Sequence, residues 1–269
     1  MRVPPFLPAA LFALALAACA GKNPFVAPAA PQPPQPAPPL PKAQEATPQQ
    51  RAAIRTDLAA GYYERGQMDV ALQELGEAQK LDPNLPKIYN IYGLVYTVLG
   101  ENAKAEENFK HALALAPNDS DIHHNWGAFL CTHGRPAEAL AEFERVVRDP
   151  LYKTPEIALI NAGKCSIAMG DMAKADDYLR RALTASPNNP VAAYNLAFLN
   201  YRQGKLPEAR TYMRIVMQQA SPPPDALYLG MCIERKQGDN AAELSYTSQL
   251  RNRYPDSAEA KAIATGGCE

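Results

Sequence analysis

The side chains able to do chemistry are few, with four histidines and five cysteines in 269 residues. The histidines are His111, His123, His124 and His133. A helix would spread His123, His124 and the Cys131/His133 pair over different faces, so we expect solvated or packing histidines and no metal site. The sequence has no glycine-rich phosphate loop and no serine or cysteine nucleophile pattern. We therefore expect no catalytic residue, no metal and no cofactor.

Charged side chains are nearly balanced, with 27 Lys and Arg against 28 Asp and Glu. A nucleic-acid partner would require a basic face that displaces counterions from phosphates. Aromatic residues make up only 8% of the chain, which suits many thin helix–helix contacts better than one thick core. We therefore expect protein partners and no nucleic acid.

The first cysteine, Cys19, follows a pattern typical of an export signal. Arg2 precedes an apolar run over residues 6–18, which is too short to span a bilayer as a helix. The tetrapeptide Leu-Ala-Ala-Cys that ends at Cys19 resembles the lipobox of bacterial lipoproteins, in which the cysteine is diacylated and becomes the new N-terminus. The alternative interpretation is an ordinary signal peptide followed by a cysteine that occurs there by chance.

The lipobox resemblance also implies a location. Two or more acyl chains, such as palmitate, on Cys19 would anchor the protein stably in a membrane. Enterobacterial lipoproteins that stay in the inner membrane carry an aspartate after the cysteine, whereas this chain has Ala20 there. We expect residues 1–18 to be a lipoprotein signal peptide and the mature chain to lie at the periplasmic face of the outer membrane.

Residues 19–50 form a proline-rich stretch, with ten prolines between Gly21 and Pro48. Proline does not sustain a helix interior and biases the preceding residue towards extended geometry. The stretch therefore predicts a disordered or semi-rigid stalk of about 3.1 Å per residue where it is extended. A proline-rich ligand motif over residues 33–41 is the alternative interpretation.

From residue 51 onwards, small residues recur every 34 positions, as at Gly66, Gly100 and Gly134. The order of small, aromatic, alanine and proline positions resembles the tetratricopeptide repeat (TPR), a helix–turn–helix unit that is stable only when stacked. The resemblance implies an all-α TPR superhelix of about six repeats over residues 51–256, followed by a tail over 257–269. The repeats are placed at about 52–85, 86–119, 120–155, 156–189, 190–222 and 223–256, with two extra residues in the 149–155 segment.

In a TPR array the first helix of each repeat, helix A, lines a concave groove. Position 6 of this helix is asparagine in three successive repeats, and an amide can both donate to and accept from the backbone of an extended ligand. The same asparagines could instead brace neighbouring A helices, and both interpretations stay open. The candidate groove residues are Asn90, Leu94, His124, Asn125, Ile160, Asn161, Lys164, Tyr194, Asn195, Phe198, Tyr201, Tyr228 and Arg235.

Four cysteines remain after Cys19, and export would permit them to form disulfides. Cys131 and Cys165 fall near the ends of adjacent A helices, which pack side by side, so a bond between them is within reach. Cys232 and Cys268 form a weaker candidate pair that would tie the tail to the last repeat. The alternative for Cys131 and Cys165 is two buried thiols.

Two segments are more specific than the generic repeat positions. One is the run His-Asn-Trp-Gly-Ala-Phe-Leu-Cys over residues 124–131, and the other is Asp-Pro-Leu-Tyr-Lys-Thr-Pro over 149–155. Together with the lipobox, the six-repeat layout and the Arg-Tyr-Pro at 253–255, they resemble the PilF/PilW family of type IV pilus lipoproteins.

That resemblance implies a function. The family contains outer-membrane pilotins and assembly factors that promote localisation, multimerisation or stability of the secretin pore, and so support pilus biogenesis and twitching motility. A non-enzymatic role and a secretin partner, with other pilus proteins as further partners, are therefore expected here. The alternative is a general periplasmic TPR scaffold for envelope or cell-wall assembly.

Overall fold

The computed structural model describes residues 46–264 and 266–268. The predicted signal peptide, Cys19 and all but the end of the predicted stalk lie outside the described residues, and their limits stay predictions. Within the described part, no helix is long and apolar enough to cross a membrane.

The described residues form thirteen α-helices and no strand, which confirms the all-α prediction. The first twelve helices pack as six antiparallel pairs, so that odd-numbered helices are the A helices and even-numbered ones are the B helices. The first helix begins at Pro48, three residues before the predicted start of the array. The helices are α1 Pro48–Glu64, α2 Met68–Leu81, α3 Pro86–Val98, α4 Asn102–Leu115, α5 Ser120–Thr132, α6 Pro136–Arg148, α7 Pro155–Ala168, α8 Met172–Ala185, α9 Pro190–Arg202, α10 Leu206–Val216, α11 Pro224–Gln237, α12 Asn240–Arg253 and α13 Ala258–Ala264.

The turn inside each repeat depends on a glycine. Gly134, for example, has a φ of 75° and lies between α5 and α6. This left-handed conformation is strained for residues with a β-carbon, which explains why glycine recurs here with the repeat period. In the sixth repeat, Gly238 takes the same conformation, with a φ of 79°, and lies 34 residues after Gly204. The turn glycine therefore keeps the repeat period in the last repeat as well.

Within a repeat, helices A and B touch where helix A has no side chain. A β-carbon at Gly127 would lie 2.9 Å from Cε1 of Phe143, and one at Gly163 would lie 2.6 Å from Cγ of Leu179. The sixth repeat keeps this contact, because a β-carbon at Gly230 would lie 2.7 Å from Cε1 of Tyr246. Small residues at this position therefore allow the A and B helices to pack closely.

The core continues from repeat to repeat. Around the middle of the array, the ring of Phe129 lies 5.3 Å from that of Trp126 and 5.6 Å from that of Phe109, centroid to centroid. Phe109 and Phe143 are fully buried. These rings come from three successive helices and are shared between repeats, so one pair of helices alone could not bury them.

The segment between α6 and α7 contains the two extra residues. It spans residues 149–154, whereas residues 116–119 join α4 to α5. Asp149 anchors it by accepting a hydrogen bond of 2.6 Å from the Ser120 hydroxyl. That bond, followed by a backbone N–H bond from Leu151, holds the pKa of Asp149 below its ordinary value.

One buried histidine also links helices A and B. His123 Nδ1 lies 2.5 Å from a carboxylate oxygen of Glu142, and its Nε2 lies 2.9 Å from the carbonyl of Pro117. Both ring nitrogens thus face acceptors, which favours the doubly protonated ring. The hydrogen bond to Glu142 raises the pKa of His123 above its ordinary value, although burial opposes the shift.

This arrangement predicts a pH-dependent contribution to stability. Because the folded-state pKa of His123 is raised, its contribution is full below the ordinary value near 6.5 and is lost as pH rises through the folded-state pKa. Glu142→Gln should therefore destabilise the protein more at about pH 6 than at about pH 9 in urea unfolding. Glu138→Gln, on the exposed side of the same helix, is the control and should show no such pH dependence. A constant difference between wild type and Glu142→Gln across this range would contradict the prediction.

Candidate protein-binding groove

The A helices lie side by side and form one wall. Each of α3, α5, α7 and α9 contacts the next A helix along the chain, so that their groove positions share one face. All thirteen predicted groove residues lie on these helices or on α11. The two ends of the wall differ in chemistry.

In the central repeats, asparagines bridge neighbouring helices. The amide of Asn125 on α5 donates to Oδ1 of Asn90 on α3, at 3.1 Å. The amide of Asn161 on α7 contacts Nε2 of His124 on α5, at 3.3 Å. Asn195 instead donates to the carbonyl of Val191 in its own helix, at 2.7 Å. Two of the three position-6 asparagines thus brace the wall, while remaining partly exposed at its surface.

His124 is held neutral at the centre of this wall. Burial lowers its pKa below the ordinary value. Its Nδ1 is buried without a hydrogen-bond partner among the described residues, and its ring lies 5.9 Å from that of Phe143. A neutral imidazole adds an apolar face to the groove and no charge.

Not all of the predicted groove residues in the central repeats are exposed. Asn90 and Ile160 are buried, with 5% and 6% of their surface exposed. Lys164 is exposed on α7, and Leu94 is half-buried on α3. A ligand lying along α5 and α7 would therefore meet Asn125, Asn161 and Lys164 before the other candidates.

A disulfide fastens the two central A helices. Cys131 on α5 and Cys165 on α7 are bonded, with their Cα atoms 5.8 Å apart. The second predicted pair, Cys232 on α11 and Cys268 in the tail, is also bonded. The first bond fixes the spacing of the groove wall, and the second holds the end of the chain on it.

The tail occupies the C-terminal end of the groove. Helix α13 packs against α11 and α12. The Tyr201 hydroxyl donates to the carbonyl of Cys268 at 2.7 Å, and Arg235 donates to the carbonyl of Gly267 at 3.2 Å. Arg235 also pairs with Glu243 at 2.8 Å. Tyr201 and Arg235, predicted to meet a ligand, therefore hold the chain's own tail.

Between α9, α11 and α13 lies a cavity of about 320 Å³. Four aromatic residues from the predicted groove line it, together with the disulfide-bonded Cys232 and Cys268. Five further lining residues, from α11 and α13, are not among the residues that the sequence indicates. The lining residues are Tyr194, Phe198, Tyr201, Asp225, Tyr228, Leu229, Cys232, Ala258, Glu259, Ala262 and Cys268.

The carboxylates of this cavity were not anticipated from the sequence. Asp225 lies in the first turn of α11. Acidic residues are common there because they complement the helix dipole, so the sequence alone does not indicate that Asp225 lines a cavity. Glu259 lies in the tail, which has no counterpart in the repeats. Burial, then Asp225, then Glu259 raise the pKa of Tyr194 to about 12.

The tail should depend on its disulfide. Helix α13 has only seven residues, so it is too short to persist without tertiary contacts. Cys232→Ala with Cys268→Ala should therefore accelerate amide hydrogen exchange across residues 258–268 and leave α3 to α8 unchanged. Cys131→Ala with Cys165→Ala serves as the control and should leave exchange in the tail as it is. Equal protection of the tail in both double variants would show that the bond does not hold it.

Comparison with known proteins places this architecture in a family. Models of the tetratricopeptide repeat match residues 86–119, 131–190, 166–229 and 225–257. The type IV pilus assembly protein PilF of Pseudomonas aeruginosa is 28% identical over 202 residues, which cover 75% of this chain and 80% of PilF.

Two solved structures agree with this match. The crystal structure of PilW, described as a widely conserved type IV pilus biogenesis factor, has a TM-score of 0.73 at 33% identity and covers 79% of this chain and 98% of its own. The structure of Pseudomonas aeruginosa PilF has a TM-score of 0.72 at 26% identity and covers 82% and 99% of the two chains. The chain therefore belongs to the PilF/PilW family of type IV pilus tetratricopeptide-repeat proteins.

Proposed function

We propose that this chain is a non-enzymatic outer-membrane lipoprotein whose periplasmic repeat array binds the secretin subunit of the type IV pilus machine. By binding it, the protein promotes localisation and multimerisation of the secretin, and so supports pilus biogenesis, pilus stability and twitching motility. Other pilus proteins are further partners. The acylated Cys19 would hold the array at the periplasmic face of the outer membrane, where a secretin assembles.

The observation that carries the proposal is the match to PilW, because it combines 33% identity with coverage of 98% of that chain. A generic repeat array would share the helix pairs but not the identity across almost the whole of a pilus biogenesis factor. The lipobox at Cys19, which lies outside the described residues, supports a membrane-anchored role of the same kind.

The groove suits an extended protein segment. Its central wall presents apolar surface with the partly exposed amides of Asn125 and Asn161, and with Lys164 at the rim. Amides can pair with the backbone of a bound strand or loop, and the apolar surface can take its side chains. The Cys131–Cys165 bond keeps α5 and α7 at a fixed spacing, which lowers the entropy lost on binding.

Deletion of the gene tests the proposal in cells. Membranes of the deletion strain are fractionated, and the secretin is detected on a blot of an unboiled gel. We expect the outer-membrane secretin multimer to disappear while the monomer persists, and a plasmid-borne wild-type copy to restore it. Normal secretin multimers in the outer membrane would refute the pilotin role and would favour the general envelope scaffold.

The anchor is tested separately by complementation with Cys19→Ser. Without the thiol, no acyl chain can be added, and the array should move from the outer membrane to the soluble periplasmic fraction. Secretin multimers should then be reduced relative to the wild-type complement. Retention of the variant in the outer membrane would show that something other than a lipid on Cys19 holds the protein there.

A further inference from the structure

The cavity between α9, α11 and α13 combines two chemistries that recognise the same kind of group. Its walls carry the rings of Tyr194, Phe198, Tyr201 and Tyr228. Of the described residues that line it, the charged ones are Asp225 and Glu259, both acidic. Aromatic faces attract cations through their quadrupole, and carboxylates do so through their charge.

Two of these rings already hold cations of the chain itself. The ammonium of Lys236 lies 4.4 Å from the centre of the Tyr201 ring, and the guanidinium of Arg202 lies 5.9 Å from that of Phe198. Within the described residues, no cation stacks on Tyr194 or Tyr228. Two of the four rings thus carry cations of the chain itself, and the other two carry none among the described residues.

Neither carboxylate of the cavity has a cationic partner among the described residues. Asp225 is exposed, accepts the backbone N–H of Ala226 at 2.9 Å and hydrogen-bonds the Tyr194 hydroxyl. Glu259 is half-buried on α13. Their charge acts inside the cavity, because it adds to burial in raising the pKa of Tyr194 to about 12. A site that disfavours a phenolate in this way favours a cation.

We propose that this cavity binds an arginine side chain of an extended partner segment. A guanidinium is planar, so it can stack between the rings of Tyr194 and Tyr228 while its edge pairs with the carboxylates. A lysine would offer charge without the flat surface, and an apolar side chain would leave both carboxylates without a cationic partner. This inference deepens the proposed function. It rests on the proposed function in one respect only, namely that the partner is a protein.

The wall formed by α13 makes the site depend on the tail. Ala258, Glu259 and Ala262 all come from this helix, and the Cys232–Cys268 bond holds the tail against α11. A β-carbon at Gly267 would lie 2.5 Å from the hydroxyl of Tyr228, so the tail packs directly on a ring of the cavity. Reduction of the bond should therefore weaken binding at this site.

The test uses the purified full-length protein in detergent and the probe N-acetyl-arginine methylamide, observed by saturation-transfer NMR. The matched probes are the citrulline analogue, which has the same shape without the charge, and the lysine analogue. We expect the arginine probe to bind in the millimolar range, the citrulline probe about tenfold more weakly, and the lysine probe in between. Asp225→Asn with Glu259→Gln should weaken the arginine probe by about tenfold as well.

Three controls make the result specific. Asp256→Asn changes an exposed carboxylate outside the cavity and should leave binding unchanged. Tyr194→Phe keeps the ring and should retain most of the binding, and Cys232→Ala with Cys268→Ala should lose it. Circular dichroism shows whether each variant keeps its helices.

Equal binding of the citrulline probe, tighter binding of the lysine probe, or full binding by Asp225→Asn with Glu259→Gln would each overturn the assignment to arginine. The secretin takes no part in this measurement. Normal secretin multimers in the deletion strain would therefore refute the proposed function without affecting the site, and failure of the probe to bind would refute the site alone.

Discussion

Replacing both Cys131 and Cys165 with alanine is expected to lower the free energy of unfolding by about 3 to 4 kcal/mol. The bond closes a loop with a sequence separation of 34 and joins the A helices of two central repeats. Without it, the unfolded chain regains the entropy that the loop removes. Urea unfolding under oxidising conditions, followed by circular dichroism, measures the difference.

The matched control is the same pair of proteins in reductant. Both then lack every disulfide, so their unfolding midpoints should nearly coincide. A difference that persists in reductant would assign the effect to packing of the sulfur atoms. A difference below about 0.5 kcal/mol under oxidising conditions would contradict the stabilising role of the bond.

The second large effect is expected at Phe143, where substitution by alanine should cost about 3 to 5 kcal/mol. Only 1% of Phe143 is exposed, and its ring lies against the backbone of Gly127. Alanine would leave a cavity between α5 and α6 that neighbouring repeats cannot fill without shifting. Urea unfolding at neutral pH measures the loss.

Phe198→Ala is the matched control, because this ring is half-buried in the wall of the C-terminal cavity. It should cost less than half as much as Phe143→Ala, since part of its surface meets solvent in the native state already. If the two substitutions lower the free energy of unfolding equally, the contact between Gly127 and Phe143 would not be the main packing site of the third repeat.

Much of the fold can be predicted from the sequence because each repeat satisfies the same local rules. A glycine is needed at Gly134 for the left-handed turn, and another at Gly127 for the approach of Phe143. Because every repeat needs the turn glycine and a small residue at the helix contact, which is alanine at Ala59 and Ala197, the spacing of these residues displays the period. The match of Cys131 with Cys165 follows from the same logic, since adjacent A helices must lie side by side.

The C-terminal end of the groove could not be predicted in this way. The tail is not a repeat, so no period indicates where α13 packs, and the roles of Glu259 and Arg235 follow from that packing alone. A second unpredicted contact is the ion network of Arg210 with the buried Glu234 and with Asp239. The spacing of the small residues gives no indication of this pairing.

The asparagines show a further limit of the sequence pattern. Asparagine at position 6 of helix A predicts amides on the groove face, which could bind a ligand or brace neighbouring A helices. The structure confirms neither of these two interpretations alone. Asn125 and Asn161 contact the neighbouring helix, yet part of each side chain remains at the surface. Asn195 has the same residue type, yet its amide donates to the carbonyl of Val191 in its own helix.

Crosslinking in cells tests most directly whether the groove of this array contacts the secretin. A photoreactive benzoylphenylalanine is placed at Lys164, which is exposed on the groove helix α7, or at Lys110, which is exposed on the B helix α4. We predict a secretin-containing crosslink from position 164 and none from position 110. A secretin crosslink from position 110 alone, or from neither position, would contradict binding through the groove.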